Sequence, residues 1–276
     1  MNVAIIGLGL MGGSMALGLK KLDFIKKIVG IDHNPKHQED ALKLNLVEEI
    51  VELNDVKNFD IIILAIPVDG VISLFKQLTD VSKNTTIIDL GSTKSLIVKS
   101  IPTKIRKNVV AAHPMTGTEN FGPYAAVDGL YEDKVVVLCN LEDSGDIQVK
   151  NAKKIFKALK MKKYFMDADE HDRHAAFISH MPHAISYSLA NTVMKQEDKH
   201  NILALAAGGF RSMSRLAKSS PYMWEDIFRQ NKDNIIEAIE LFEKELTQLK
   251  ENIKNNEWGK VHQKMAEGKK LHEIFS

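Results

Sequence analysis

The sequence predicts an α/β protein in two parts: a doubly wound parallel sheet over residues 1–166 and an all-helical domain over residues 167–276. Three observations support this. A glycine-rich turn joins the first apolar strand to a helix, strands and helices alternate up to about residue 166, and strand patterns disappear after Asp167.

The first strand and the turn after it carry the pattern of a Rossmann-type dinucleotide site. An apolar strand is predicted over residues 2–6 and a helix over residues 15–22. In such a turn one glycine permits the bend, one permits close approach to a pyrophosphate, and one lets the helix pack on the sheet. The free N–H groups at the helix start favour phosphate. The expected cofactor contacts are Gly7, Gly9, Leu10, Met11 and Gly12.

The second strand ends at Asp32, about twenty residues beyond Gly12. A carboxylate at this position accepts hydrogen bonds from the adenine ribose hydroxyls and repels a 2′-phosphate. NAD is therefore the expected cofactor, although Lys36 lies close enough in sequence to leave NADP open. The competing interpretation of the whole pattern is a plain glycine turn before a helix.

The remaining elements of the first part alternate. Predicted strands cover residues 60–65, 85–90, 109–112, 134–139 and 162–166. Predicted helices cover residues 38–44, 69–78 and 146–159, and a further helix opens at residues 91–94. Continuous apolar runs such as residues 60–65 are typical of parallel strands that are buried on both faces.

Helical periodicity covers the rest of the chain, over residues 170–194, 200–216, 221–251 and 257–275. Pro182 and the glycine pair that begins at Gly208 are expected to interrupt it. The helix over residues 221–251 carries an apolar stripe that fits either the core of the chain or a subunit interface. The stripe consists of Ile235, Ile236, Ile239, Phe242 and Leu246.

Composition excludes several classes of function. Lys and Arg total 37 against 36 for Asp and Glu, so neither nucleic acid nor an anionic membrane is an expected partner. Cys139 is the only cysteine, which rules out an intramolecular disulfide and a thiolate zinc cluster. No apolar stretch has the length of a membrane span. No signal peptide is expected, because the N-terminus runs straight into the first strand with no basic region and no cleavage site. A cytoplasmic protein is expected.

Polar residues at strand ends are the first candidates for a site, because ligands of open α/β sheets bind there. Ile66 and Pro67 are expected to wall the cofactor pocket. Ser92 and Thr93 precede a helix, so cofactor binding and simple N-capping both remain open for them.

His113 ends a buried strand and heads a glycine-containing loop, where it could accept a proton from a substrate hydroxyl as hydride leaves the adjacent carbon. The alternative is a histidine that only caps the loop. His180 and His183 are three residues apart on a predicted helix and so face one way. Zinc is disfavoured because no third ligand stands at a recognisable spacing. A polar wall of a substrate cleft is the favoured interpretation.

Arg211 and Arg215 are four residues apart, after Gly208. Guanidinium groups at this spacing can bind one anionic ligand. Two solvated arginines on a surface helix are the alternative.

Read together, these segments resemble the prephenate and arogenate dehydrogenase family over nearly the whole chain. The segments are the turn from Gly7 to Ser14, Gly91-Ser92-Thr93-Lys94, His113-Pro114-Met115-Thr116-Gly117-Thr118-Glu119, Ser179-His180-Met181-Pro182-His183, and Arg215 with Pro221 and Trp224. The resemblance implies an NAD-dependent oxidative decarboxylation of prephenate to 4-hydroxyphenylpyruvate in tyrosine biosynthesis, with arogenate as the alternative substrate.

The resemblance also implies residue roles. His113 accepts a hydrogen bond from the substrate 4-hydroxyl, Ser92 orients His113 or that hydroxyl, and Arg215 binds a carboxylate. The expected remainder of the substrate site is His180, His183, Glu119, Arg211, Gly208 and Trp224. The helical domain is implied to form a homodimer, and no metal is needed because aromatisation drives the reaction.

Two other functions compete with this one. A two-domain hydroxyacid dehydrogenase would use a lysine such as Lys232 in its helical half. A nucleotide-sensing module without catalysis would need neither His113 nor Arg215.

Overall fold

The structure, a computed structural model, describes residues 1–274. Internal contacts divide the chain into two compact units, Met1–Asn231 and the part that begins at Lys232. The first unit holds the sheet and the helices around it, and the second is helical. The predicted domain boundary after residue 166 falls inside the first unit, where strand β8 ends at Met166.

The sheet has eight strands within the described residues, in the order β3-β2-β1-β4-β5-β6-β7-β8. The chain switches direction of winding between β1 and β4, which is where a doubly wound sheet opens its ligand crevice. The strands are β1 Asn2–Ile6, β2 Lys27–Ile31, β3 Glu49–Ile50, β4 Ile61–Leu64, β5 Thr86–Asp89, β6 Val109–Pro114, β7 Val135–Cys139 and β8 Lys162–Met166.

The predicted sheet is confirmed with two differences: the short strand β3 was not predicted, and one pair of strands is antiparallel. β7 runs antiparallel to β6, with His113 opposite Val137, whereas all other pairs are parallel. The cause is the connection over residues 115–134, which has no crossover helix. It leaves β6 and enters β7 at the same edge of the sheet. This connection therefore lies at the edge where ligands are expected.

Helices cover both faces of the sheet. In β4, Ile61 and Ile63 face one apolar cluster while Ile62 and Leu64 face the other, as expected for a strand buried on both sides. The helices of this region are α1 Leu10–Leu19, α2 Pro35–Lys43, α3 Val68–Phe75, α4 Ser95–Ser100 and α5 Asp146–Ala158. The prediction of α1 over residues 15–22 was wrong at both ends, because the helix begins inside the glycine turn and ends at Leu19.

Helices follow β8, as predicted. They are α6 Ala168–Ala175, α7 Met181–Met194, α8 Lys199–Ala204, α9 Gly208–Ser214 and α10 Pro221–Gln230. A π-helical turn over Ala176–His180 joins α6 to α7 just before Pro182. The predicted helix over residues 200–216 is broken before Gly208, as its glycines indicated.

The second unit contains α11 Lys232–Lys254, α12 Trp258–Lys269 and α13 Leu271–Ile274. One continuous helix over residues 221–251 was therefore a wrong prediction, because Asn231 is non-helical and separates α10 from α11. The predicted end of the last helix at Phe275 lies outside the described residues. Among residues 1–274, no helix combines the length and apolar character that crossing a bilayer requires.

Candidate active site

The glycine turn has the geometry of a dinucleotide cradle. Gly7 adopts φ +94°, and a Cβ on Gly12 would lie 1.8 Å from the Gly7 carbonyl oxygen. Both positions therefore require glycine. Outside Gly9 the space is open, since the nearest atom to a Cβ there would be 3.9 Å away. A backbone that is exposed in this way at the start of α1 fits a pyrophosphate, with Leu10 and Met11 in the first turn.

Asp32 follows β2 and is buried beside this turn. Its Oδ2 accepts a hydrogen bond from the Leu8 N–H at 2.9 Å, and its Oδ1 accepts one from the Asn34 N–H at 2.9 Å. Lys36 turns away from it, with its ammonium 3.0 Å from Asp40 and 3.3 Å from Glu39. The Lys36 ammonium, the one group that kept NADP possible as the cofactor, is thus engaged with Asp40 and Glu39. The residues around Asp32 therefore fit NAD.

The other expected cofactor contacts differ in placement. Ile66 packs against Gly7, and Pro67 precedes α3. Ser92 lines the main pocket described below, whereas Thr93 is fully buried and donates its hydroxyl to Gln230 at 2.7 Å. Neither Ser92 nor Thr93 caps α4, so that alternative was wrong.

A cavity of about 380 Å³ opens beside the start of α1, at the carboxyl end of β6. It brings together most of the residues expected in a substrate site. The expected catalytic and substrate residues in its lining are Ser92, His113, Glu119, His180, His183, Arg215 and Trp224, and the expected cofactor contacts Leu10 and Met11 also line it. Arg211 and Gly208, both of them described residues, lie outside that lining.

His113 belongs to a hydrogen-bonded triad with His171 and Asp172. Its Nδ1 lies 2.8 Å from Nε2 of His171, and Nδ1 of His171 lies 2.8 Å from Oδ1 of Asp172. A carboxylate only accepts hydrogen bonds, so His171 donates from Nδ1, and in the tautomer that carries this one proton its Nε2 accepts. His113 then donates from Nδ1, which leaves its Nε2 as a bare acceptor. The triad thus provides the proton acceptor that a bound hydroxyl needs.

Hydrogen bonds with backbone N–H and carbonyl groups hold the triad in place. Asp172 accepts the N–H groups of Lys94 and Ser95, at 2.8 and 2.9 Å, and so caps α4 from another helix. The Lys94 ammonium is fully buried, pairs with Asp89 and donates to the Ala112 carbonyl at 2.9 Å. That carbonyl directly precedes His113, so these contacts hold both ends of the triad.

His180 and His183 form a second wall with Trp224. His183 donates from Nδ1 to the Ser179 carbonyl at 2.9 Å and stacks on Trp224 with ring centroids 3.5 Å apart. His180 accepts at Nδ1 from the Asn231 amide at 3.0 Å, so its Nε2 carries the proton. The buried indole N–H of Trp224 has no partner among the described residues. This wall therefore offers the N–H groups of His180 and Trp224 as donors and Nε2 of His183 as an acceptor. Among residues 1–274, no three metal-ligating side chains converge.

Burial keeps these imidazoles neutral. It holds the pKa of His113 well below its usual 6.5, with smaller contributions from His171 and Lys94. Burial also lowers the pKa of His180 to about 4 and the pKa of His183 to a lesser extent. At neutral pH His113 is therefore an unprotonated base.

Arg215 is the guanidinium that the structure brings to the cavity. It begins a 3-10 turn, is 56% exposed, and lies 4.0 Å from the carboxylate of Glu119. Arg211 instead donates from Nε to the Ala206 carbonyl at 3.1 Å. The spacing of four residues therefore places one arginine at the cavity and one outside it.

Sequence reasoning missed His171, Asp172 and Lys94. A usable signal existed in α6, whose core-facing positions include Ala168 and Ala175. His171 and Asp172 occupy the same buried face. Polar side chains at core positions of an amphipathic helix need partners, so they mark a buried network.

A dinucleotide cradle and a bare imidazole nitrogen beside one cavity serve a reaction in which a carbon loses hydride and its hydroxyl loses a proton. The class that this fold and site define is the NAD-dependent dehydrogenases.

Comparison with known proteins narrows the class. The prephenate dehydrogenase nucleotide-binding domain matches residues 15–165, and the prephenate dehydrogenase dimerization domain matches residues 167–267. A prephenate dehydrogenase of Lactococcus lactis subsp. cremoris is 34% identical, over 99% of this chain and 77% of its own. One of Bacillus subtilis is 31% identical, over 93% of this chain and 71% of its own. The chain belongs to the prephenate dehydrogenase family.

A solved structure agrees. Prephenate dehydrogenase from Aquifex aeolicus, in complex with hydroxyphenyl propionate and NAD+, superposes with a TM-score of 0.92 at 33% identity. The match covers 100% of this chain and 98% of that one. NAD is thus the cofactor of this fold, and the C-terminal part is a helical dimerisation domain.

Proposed function

We propose that this protein is an NAD-dependent prephenate dehydrogenase that converts prephenate to 4-hydroxyphenylpyruvate in tyrosine biosynthesis. The observation that carries the proposal is the triad, which presents Nε2 of His113 as an acceptor in a cavity shared with Arg215. Prephenate has a 4-hydroxyl and two carboxylates, so the base matches the hydroxyl and the guanidinium matches one of the carboxylates.

His113 receives the hydrogen bond of the 4-hydroxyl. Bound NAD+ would supply the acceptor for the hydride that leaves C4. As hydride leaves, the hydroxyl proton moves toward Nε2 of His113, and the triad disperses the charge toward Asp172. Loss of the ring carboxylate as CO2 supplies the electron pair that makes the ring aromatic, and the proton returns to the phenol oxygen. No metal takes part in this scheme.

Arg215 is assigned to a substrate carboxylate, with Glu119 at the border of the site. The N–H groups of His180 and Trp224 are further donors, and the bare Nε2 of His183 is a second acceptor. Ser92 lines the cavity beside His113, while the orienting partner of His113 is His171. Arg211 and Gly208 receive no role in substrate binding.

The cofactor roles follow the cradle. Gly7, Gly9 and Gly12 with Leu10 and Met11 are assigned to the pyrophosphate, and Asp32 to the ribose. Ile66 and Pro67 are assigned to the wall of the cofactor pocket and Ser92 to the substrate side. Thr93 supports the site through Gln230.

We also propose a homodimer formed by a helical domain over residues 167–276, which begins where β8 ends. Large apolar side chains of this region stay exposed in the single chain, including Ile236 at 44%, Leu246 at 52% and Leu205 at 85%. Surfaces of this kind support association with a second copy. A cytoplasmic location is proposed with it, since the one cysteine is unpaired.

The test is NADH formation with NAD+ and prephenate, arogenate or a panel of hydroxyacids. We expect turnover with prephenate together with equimolar 4-hydroxyphenylpyruvate. Turnover with arogenate alone would keep the chemistry of His113 and change the substrate. Activity confined to another hydroxyacid would overturn the proposal and direct attention to Lys232.

A further inference from the structure

A contact on the adenosine side of the cofactor site has no place in the chemistry described above. Two histidines flank the Asp32 carboxylate at similar distances. Nδ1 of His33 lies 3.5 Å from Oδ1, and Nδ1 of His37 lies 3.4 Å from Oδ2. The His33 side chain is 93% exposed, whereas that of His37 is 29% exposed. His37 is therefore the one held in a fixed place.

The opposite edge of the His37 ring meets a second segment. A Cβ placed on Gly122 would lie 3.7 Å from Nε2 of His37, and one placed on Gly9 would lie 3.9 Å from the Gly122 nitrogen. Asp32, His37, Gly122 and Gly9 thus surround the space outside the phosphate turn. The ring of His37 spans the gap between the ribose carboxylate and the connection from β6 to β7.

Gly122 is suited to this close approach. It adopts φ +81° and ψ 175°, a conformation that only glycine adopts without strain. The connection is anchored further on by the Val127 N–H, which donates to the Ser14 hydroxyl at 2.9 Å. His37 therefore packs against backbone that cannot easily retreat.

We propose that His37 is a selectivity residue of the cofactor site: by bridging Asp32 and Gly122 it fixes the carboxylate and closes the space beside the ribose, so that a 2′-hydroxyl is accepted and a 2′-phosphate is rejected. The phosphate would meet the Asp32 charge at short range, without room to move away. Lys36, committed to Glu39 and Asp40, supplies no compensating charge.

The proposal rests on the assignment of NAD and is tested by binding alone. Calorimetric titration of the protein with ADP-ribose and with its 2′-phosphate measures the ratio of the two dissociation constants. The matched variants are His37→Ala and His33→Ala, which each remove one imidazole beside the same carboxylate. Thermal unfolding checks that both are folded.

We expect His37→Ala to weaken ADP-ribose binding and to reduce the preference over the 2′-phosphate by about tenfold, while His33→Ala changes it less than about twofold. His37→Asn, which retains a donor toward Asp32 without reaching Gly122, should lie between them. Gly122→Ala should reduce the preference in the same direction, because it displaces the opposite wall.

Three results would overturn the proposal. Equal effects of His37→Ala and His33→Ala would show that only charge matters. A stronger preference for ADP-ribose in His37→Ala would show that His37 attracts the phosphate. Wild-type protein that binds neither ligand would remove the cofactor assignment itself, which distinguishes that failure from a failure of His37.

Discussion

The base and the anion site of one cavity are built in opposite ways. The triad of His113, His171 and Asp172 is fixed by hydrogen bonds of 2.8 Å, and the last two residues are buried. Arg215, in contrast, is 56% exposed, and its nearest carboxylate is 4.0 Å away. The difference indicates that the base is preorganised before substrate arrives, while the anion site completes its contacts with the substrate.

The largest effect is expected at the base. His113→Asn removes the acceptor, so kcat should fall about a hundredfold or more while KM changes less. Steady-state NADH formation with prephenate measures both. Near-normal turnover would remove His113 from its role and with it the contrast between the two regions.

At the exposed side the effect should appear in binding. Arg215→Ala should cost about 2 kcal/mol or more in kcat/KM, chiefly through KM, if the carboxylate pair is desolvated. Arg211→Ala is the matched variant, because its side chain points to the Ala206 carbonyl and away from the cavity. Equal effects of the two variants would show that the anion is held by both arginines.

A residue that touches no substrate should nevertheless affect kcat. His171→Ala leaves Nδ1 of His113 without its hydrogen-bond partner, so the ring is no longer held in the tautomer with its proton on Nδ1. We therefore expect kcat to fall at least about tenfold, with KM little changed. His171→Gln can place an amide oxygen near the former Nε2 and should restore part of the rate. His174→Ala, an exposed position on the same helix, is the control. Failure of the glutamine variant to exceed the alanine variant would argue for a packing role only.

The pH dependence tests the buried environment directly. Burial disfavours imidazolium and lowers the pKa of His113, so the base form persists below the ordinary histidine value of 6.5. The acid limb of kcat/KM should therefore fall at a pH below 6.5. An acid limb at or above 6.5 would show that the site is more solvated than the structure indicates.

The smallest effect is expected at the rim. Glu119→Gln removes a negative charge beside Arg215 and should lower KM for prephenate by about two- to threefold, in the range of exposed ion pairs. The change should shrink as salt is raised. A KM that rises instead would mean that Glu119 positions Arg215.

More of the cofactor turn than of the triad could be predicted from the sequence. Gly7, Gly12 and Asp32 are local features whose geometry follows from a turn, a helix start and a strand end. The site around His113 could be located because His113 stands at the end of a predicted strand, which is also a local feature. His171 and Lys94 could not be paired with it, because their contacts join residues 58 and 18 positions apart, as His113–His171 and Lys94–Ala112.

Other errors also come from connections and contacts that the local sequence does not record. The antiparallel direction of β7 depends on the path of the long connection between β6 and β7. The hydrophobic periodicity of the sequence contains no information about that path. Asn231, directly after the end of α10, donates its side-chain amide to the Asp172 carbonyl at 2.7 Å and to His180, and these partners are distant in the sequence. Arg211 and Arg215 have the spacing of neighbours on one helix face, but α9 ends at Ser214 and only Arg215 lines the cavity.

The central claim is that His113 presents an unprotonated Nε2 to the cavity before substrate binds. Long-range ¹H–¹⁵N spectra of the protein labelled in histidine, with His113 assigned from the His113→Asn variant, test it most directly. The structure predicts a neutral His113 ring at pH 7 with its proton on Nδ1. A proton on Nε2, or an imidazolium, would contradict it.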